Sequence, residues 1–327
     1  MISYILRRLL GIIPTLIIVS IVTFAIIQLP PGDYFTTLQA LVGESGGGMD
    51  EATMNIVREQ YWLDRPLPVQ YFRWISGFPR GDFGYSFEWH GPVLPIVMER
   101  MWYTIAIGGL SLVFMVIVAV PIGIFSATHQ YSIRDHLFSL IGFLGLCLPG
   151  FLFGLLWMFL GVVVLRIDVG GTLSREYADA PWTLAKVLDY LNHLWPPVVI
   201  LGLASTAQLQ RIMRGNLLDE LGQQYIVTAR SKGLSERKVI NKYGVRVAIN
   251  PLISVMAMEI PKIISESTIV GIVLSVPTTG PLLLRSLLSQ DMYLAGTFLL
   301  FMSLLLMFSN ILADIALAWA DPRIVYS

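Results

Sequence analysis

Three ionisable residues, Glu259, Lys262 and Glu266, sit inside an otherwise apolar run, and they set what chemistry the membrane part of this chain can attempt. Their separations of three, four and seven residues place all three on one helical face. In hydrocarbon, ionisable groups are costly and mark solute, ion or proton pathways by default. Glu259 lies roughly 14 Å along a helix from Asn250, at about 1.5 Å per residue, which is near mid-bilayer. Pro261 is placed to kink that helix. Two readings follow: a face lining a cavity that holds polar solute or water, or a Glu–Lys–Glu ion network that pins helices together. Asn310 and Asp314, four apart in the last apolar run, read as helix-packing or interfacial groups. Catalytic chemistry has little support. His90, His129, His136 and His193 are scattered without H-E-x-x-H spacing, and no nucleophile–base pair or metal-ligand cluster is visible. The glycines Gly46–Gly48 within "GESGGGMD" lack the G-x-x-x-x-G-K-[ST] of a phosphate loop and read as a flexible loop. The lone cysteine, Cys147, has no intrachain partner and reads as a small buried apolar side chain. No residue is therefore assigned a catalytic, metal-binding or cofactor-binding role.

Elements that could carry these residues follow from composition. Of 327 residues, 55% are hydrophobic and 13% charged, with a mean hydropathy of +0.69. Soluble domains carry about a quarter charged residues, so this is an all-α integral membrane protein. A formal net charge of zero argues against a nucleic-acid partner. Runs of about 20 apolar residues give six spans, at 9–29, 101–127, 137–165, 194–212, 250–274 and 293–317. The first follows "YILRRLL"; its core exceeds a signal-peptide h-region and "IIQLPPGDY" offers no cleavage site, so it reads as a retained helix. Gly108, Gly109, Pro121, Gly123, Pro149, Gly150 and Gly154 suit close packing and kinks in a bundle. Lys/Arg placement sets orientation. Segment 211–246 holds eight basic residues against three acids, and Arg7, Arg8, Arg134 and Arg323 fall on the same side. Residues 31–95 carry four Arg against eight acids and belong outside. Both termini are then expected in the cytoplasm. The outer segment reads as short amphipathic helices, with Ile56, Tyr61, Trp62, Leu63, Tyr71, Phe72, Trp74 and Ile75 on apolar faces. The expected organisation is a first helix plus extracytoplasmic segment (1–95) and a five-helix core (96–327) with a cytoplasmic loop at 211–249.

That loop contains "TARSKGLSERKVINKYGVRVAINP", residues 228–251. From Gln223 to Lys232 the pattern is helical, with Tyr225, Ile226 and Ala229 on one stripe. Gly233 is placed to end this helix in a left-handed cap, and Ser235 to cap a second one over about 236–247 that runs into the fifth span. A short helix, a glycine turn and a returning helix make a rigid knob. Its basic residues satisfy a topological rule on their own, and an amphipathic helix can also lie on headgroups. A docking surface for another protein is the alternative.

"YIVTARSKGLS" at 225–235 resembles the cytoplasmic signature of binding-protein-dependent ABC importer permeases, which begins E-A-A and has a Gly four residues after the second Ala. Val227, Thr228 and Ala229 occupy the leading positions here and Gly233 the Gly position, so the Glu is absent and one Ala is Thr. This variant is similar to that of the dipeptide/oligopeptide branch. So are "YILRRLLGIIPTLIIVSIVTFAIIQLPPGD", "LDRPLPVQYFRWISG", "GDFGYSF" and "DPRI" at 321–324, in order along nearly the whole chain. The resemblance implies a type I importer permease fold with an extracytoplasmic insertion after the first helix, in a bacterial or archaeal inner membrane. It implies a homologous sister permease, two cytoplasmic ATPases that carry ATP and Mg, and an extracytoplasmic solute-binding protein. Tyr225, Thr228, Ala229, Arg230, Lys232, Gly233 and Leu234 would form the helix that couples to an ATPase. Peptides are the expected cargo. Oligosaccharides and opines travel through similar permeases, "SVPTTGPLLLRSLLSQDMYLAG" suits sugars as well, and intramembrane His is lacking for nickel. The rival class is an ATPase-independent channel, or a secondary transporter using Glu259, Lys262 and Glu266 as a proton relay.

Overall fold

A computed structural model describes residues 2–43, 51–167, 169–177, 180–181 and 183–320. The "DPRI" stretch and nearly all of "GESGGGMD" lie outside the described residues.

Helices dominate: α1 (Ile2–Gln28), α2 (Tyr34–Gly43), α3 (Glu51–Gln60), α4 (Leu67–Gly77), α5 (Val93–Thr128), α6 (Ile133–Cys147), α7 (Gly150–Phe159), α8 (Leu184–Leu221), α9 (Gln224–Ser231), α10 (Glu236–Lys238), α11 (Val245–Ala248), α12 (Asn250–Val273), α13 (Thr279–Leu288) and α14 (Met292–Ala320). Among the described residues the only sheet is an antiparallel pair of two-residue strands, Tyr85–Ser86 with Gly91–Pro92. Four helical stretches are each long and apolar enough to cross a membrane: Arg7–Gln28, Val93–Thr128, Leu184–Leu221 and Met292–Leu317. Two bent helix pairs bring the count to six when each pair is taken as one span.

The third expected span is not one rod. Ile133–Cys147 and Gly150–Leu165 meet at 102°. Leu148 (φ −99°, ψ 132°) and Pro149 (φ −59°, ψ 141°) are both extended. A proline disfavours α geometry at the residue before it, and at Leu148–Pro149 the chain turns sharply rather than kinking. Cys147 ends the first half and is exposed in the isolated chain. The expected burial is not found within this chain. The fifth span, by contrast, is entered through a 48° bend between Glu236–Ala248 and Asn250–Val273, and α12 runs unbroken through Pro261.

By contacts the chain forms two compact units. The first takes residues up to Tyr103 and also Thr279–Phe308, which the sequence places in the five-helix core; the second takes Thr104–Thr278 and the chain from Ser309. Within the first unit, Trp74 is buried and stacks at 6.2 Å on Phe24, while Phe72, Ile56 and Trp62 stay exposed. The outer segment is therefore anchored by one face of α4. Arg58 forks onto Asp33 at 2.7 and 2.9 Å. Burial alone would raise the Asp33 carboxyl, but bonds from Arg58 and Thr36 hold it below the usual carboxylate range. Asp291, fully buried before α14, accepts from Ser86 Oγ at 2.7 Å and from the backbone N–H groups of Glu88 and Leu294 at 3.2 Å.

Within the second unit, α8 is the spine. Thr183 caps it, its Oγ1 accepting from Lys186 N–H at 3.3 Å. With 38 residues it is about 57 Å long at 1.5 Å per residue, against about 30 Å of hydrocarbon. Its C-terminal half buries Leu209, Met213 and Leu217 against Met115 and Ala119 of α5, Ala248 and Leu252. Arg214 Nη2 bonds Asp135 Oδ2 of α6 at 3.0 Å, so this basic residue ties two helices together.

Candidate functional site

α8 ends at Leu221, and the chain turns at once into α9. Eight residues are too few to hold a helix alone, so α9 depends on packing. Ile226 is completely buried, Ala229 nearly so, and both meet fully buried Val239 from the returning segment. Leu221, Leu234 and Tyr243 close this small core. Gly233 has φ +75°, the left-handed geometry that ends helices and that side chains resist. Its N–H donates to Arg230 O at 2.9 Å. Ser235 stands at the start of α10 as expected, yet its hydroxyl makes no capping bond; its carbonyl instead accepts from Lys238 and Val239 N–H at 2.8 and 3.0 Å. The return is not a uniform helix either. Val239–Gly244 forms a π-helical turn between α10 and α11, the local widening that often accompanies a functional bend.

Tyr225 departs from the expected buried stripe. It is 40% exposed, and its hydroxyl donates to Glu220. Burial and that bond push the phenol up to about 12. Arg230 forks onto Glu236 across the glycine turn, Nε at 3.1 Å and Nη2 at 2.6 Å, which holds the Glu236 carboxyl below its ordinary value. The turn is thus braced inside by Ile226–Val239 and outside by an ion pair. Thr228 Oγ1 donates to Gln224 O at 2.9 Å and is occupied within its own helix. Outward, the knob presents Tyr225, Val227 at 47% exposure and the exposed Lys232. Such a surface is apolar at its centre and cationic at its edge, suited to a groove with an acidic rim.

The charge cluster is only partly assembled. Ser205 Oγ of α8 donates to Glu259 Oε2 at 2.5 Å, and Lys262 Nζ lies 3.3 and 3.2 Å from the two Glu259 oxygens. Glu259 is buried, 5% exposed, whereas the Lys262 side chain is 42% exposed in the isolated chain. Glu266, one turn further on, is half-buried and forms no hydrogen bond or ion pair among the described residues. Glu259 and Lys262 are therefore joined and Glu266 stands apart. Sequence spacing could not find Ser205, on another helix, nor Glu236, six residues from Arg230 and off any helical repeat. No group of three or more metal-ligating side chains occurs among the described residues.

Two family models cover the chain. Residues 119–326 match the binding-protein-dependent transport system inner membrane component, and residues 1–108 match the N-terminal membrane component of such systems. The oligopeptide transport system permease protein AppB of Bacillus subtilis is 34% identical over the whole of both chains. A putative peptide permease of Brucella ovis is 32% identical over 99% of both. The glutathione transport system permease protein GsiC of Salmonella paratyphi A is 31% identical, again over the full length of both. With its helical fold, its bent spans and these end-to-end matches, the chain belongs to the family of inner membrane components of binding-protein-dependent transport systems.

Proposed function

We propose that this chain is one permease subunit of an ATP-driven peptide importer, and that residues 225–234 transmit force from a cytoplasmic ATPase. The observation that carries this reading is the knob itself: a short helix locked by its own core and ion pair, with Tyr225 and Val227 turned outward. A loop needed only for topology would keep its basic residues but would gain nothing from a sealed core. The assembly comprises this chain, a homologous sister permease, two ATPases holding ATP and Mg, and an extracytoplasmic solute-binding protein. Both termini and the knob face the cytoplasm, and residues 31–95 face the side from which cargo arrives. Relatives named for oligopeptides and for glutathione support a short peptide as cargo.

Glu259 acts mainly as a pin. Its bonds to Ser205 and Lys262 join α8 to α12 at a depth where an unpaired carboxylate would be costly. Glu266 and the exposed side of Lys262 are left to face the translocation path. A cross-link tests the coupling role. In a Cys147→Ser background, a single cysteine at Val227 should form a disulfide with cysteines introduced around the groove of the ATPase, and ATP binding should change the yield. Efficient cross-linking from Ile133, exposed at the start of α6, with none from Val227 would defeat the assignment.

A further inference from the structure

Side chains between Gln60 and Pro92 together with Tyr293 line a cavity of about 410 Å³ within the first unit, and no role described so far uses it. Its lining carries charges of both signs. Arg73, Arg80 and Asp82 all border it, yet none of the three forms an ion pair within 4 Å among the described residues. All three side chains are exposed, so their charges stay solvated and are not spent on one another. α4 carries Arg73, whose guanidinium rests 5.5 Å from the Trp62 ring centroid. A 3-10 turn over Phe78–Arg80 follows, and Asp82 N–H closes it by donating to Gly77 O at 3.1 Å. Asp82 Oδ1 then accepts from Gly84 N–H at 3.0 Å, so one carboxylate oxygen is placed and the other remains for a ligand. Gly84 has φ +88°, and a Cβ there would strike the Tyr293 ring, so the wall needs a glycine. The Tyr293 hydroxyl donates to Tyr61 O at 2.9 Å, which fixes the opposite side.

We propose that this cavity is a docking subsite for the free termini of a short peptide, with Arg73 and Arg80 taking the α-carboxylate and Asp82 the α-ammonium. The inference rests on the peptide-importer reading and on the outward placement of residues 31–95. Planar guanidinium groups match a carboxylate bidentately, and the aromatic walls accept side chains of varied shape. Cavities of this size hold ligands of a few hundred daltons. A lipid phosphate fits less well. It is an anion without a paired cation in the case of phosphate alone, and Asp82 would repel it. The apolar groove bordered by Ile13, Ile17, Phe301 and Leu304, elsewhere in the same unit, carries no charged residue and is the better match to acyl chains.

The test uses the assembled complex in nanodiscs without binding protein or ATP, and radiolabelled trialanine as probe. Saturable binding is expected, weakened about 10- to 100-fold for trialanine amide, the range of a lost charge-assisted hydrogen bond. The Arg73→Gln/Arg80→Gln double variant should bind acid and amide alike, and Asp82→Asn should cease to discriminate against N-acetyl-trialanine. These side chains are exposed, so melting should match wild type. Absence of saturable binding, equal affinity of the wild type for acid and amide, competition by inorganic phosphate stronger than by peptide, or an unchanged preference in the double variant would overturn the proposal. ATP-driven trialanine uptake is measured in parallel with binding protein present. Uptake without binding at this cavity removes the subsite and leaves the importer; binding without uptake does the reverse.

Discussion

Ile226→Ala isolates the mechanical role proposed for the knob. The side chain is completely buried in a core that contains only two other buried residues, Ala229 and Val239. Truncating a buried Ile to Ala costs about 2–5 kcal/mol, less where neighbours can collapse into the space. Leu221, Leu234 and Tyr243 are only partly buried and can close in, so about 2–3 kcal/mol is expected here. At 1.4 kcal/mol per tenfold, local opening becomes roughly 30- to 150-fold more frequent. Since α9 has eight residues and no stability of its own, the loss should be confined to the knob. The assay is hydrogen exchange of the reconstituted complex, with ATP hydrolysis and peptide uptake measured on the same preparation. Exchange over residues 224–239 should accelerate by that factor while α8 and α12 keep their protection, and hydrolysis should lose its dependence on loaded binding protein. Val227→Ala, at an exposed position, should leave exchange unchanged and weaken only the contact with the ATPase. Unaltered exchange in Ile226→Ala, or full coupling despite a melted knob, would refute the reasoning.

Other expectations concern single terms. Gly233→Ala meets no atom within 4 Å, so its cost is purely that of the left-handed backbone at φ +75°, about 1 kcal/mol, and Gly233→Asn should recover part of it; exchange over the knob reads both. The Arg230–Glu236 pair lowers the Glu236 carboxyl, so its contribution is present above the ordinary carboxylate value and is lost as pH falls through the lowered one. Both side chains are about half exposed, which caps the effect near about 1 kcal/mol; knob exchange, corrected for intrinsic rate, should be flat from neutral pH down to the carboxylate range. Asp291 has the opposite sign: burial lifts its carboxyl, so its contribution is complete in acid and shrinks as pH rises through the raised value, and the wild type should gain thermal stability on acidification relative to Asp291→Asn. Ser205→Ala removes a charge-assisted bond from buried Glu259 and should lower the melting temperature by an amount corresponding to about 1.5–3 kcal/mol, whereas Glu266→Gln, with no bond to lose, should leave melting unchanged and alter uptake.

Much of the helical architecture was legible because hydrophobic run length is a property of the chain alone. The six apolar runs fall on helices within a few residues, except that α5 and α8 extend eight to ten residues beyond theirs. Charged residues interrupt those extensions, Glu99 and Arg100 in α5 and Lys186, Asp189, Arg214 and Asp219 in α8, so an apolar run stops short while the helix already nucleated continues. The 102° turn at Leu148–Pro149 was signalled by Pro149 and Gly150, but proline gives a place for a bend and not its size. In the knob, Gly233 and the Ile226–Ala229 face were readable from periodicity. Tyr225 was not, because its neighbour Glu220 lies beyond the end of α9 and draws the ring out of the stripe. The partners Ser205 and Glu236 needed tertiary proximity, which spacing along a single helix cannot supply. Glu266 satisfies the same helical spacing as Glu259 and Lys262, yet no partner from a facing helix reaches it.

Force entering through the knob is tested most directly in proteoliposomes holding this chain, its sister permease, both ATPases and the solute-binding protein. Labelled peptide should accumulate against its gradient with ATP, cease to do so when Gly233→Pro disrupts the turn, and never accumulate when the ATPases are omitted. Uphill accumulation in vesicles that lack the ATPases would contradict the account.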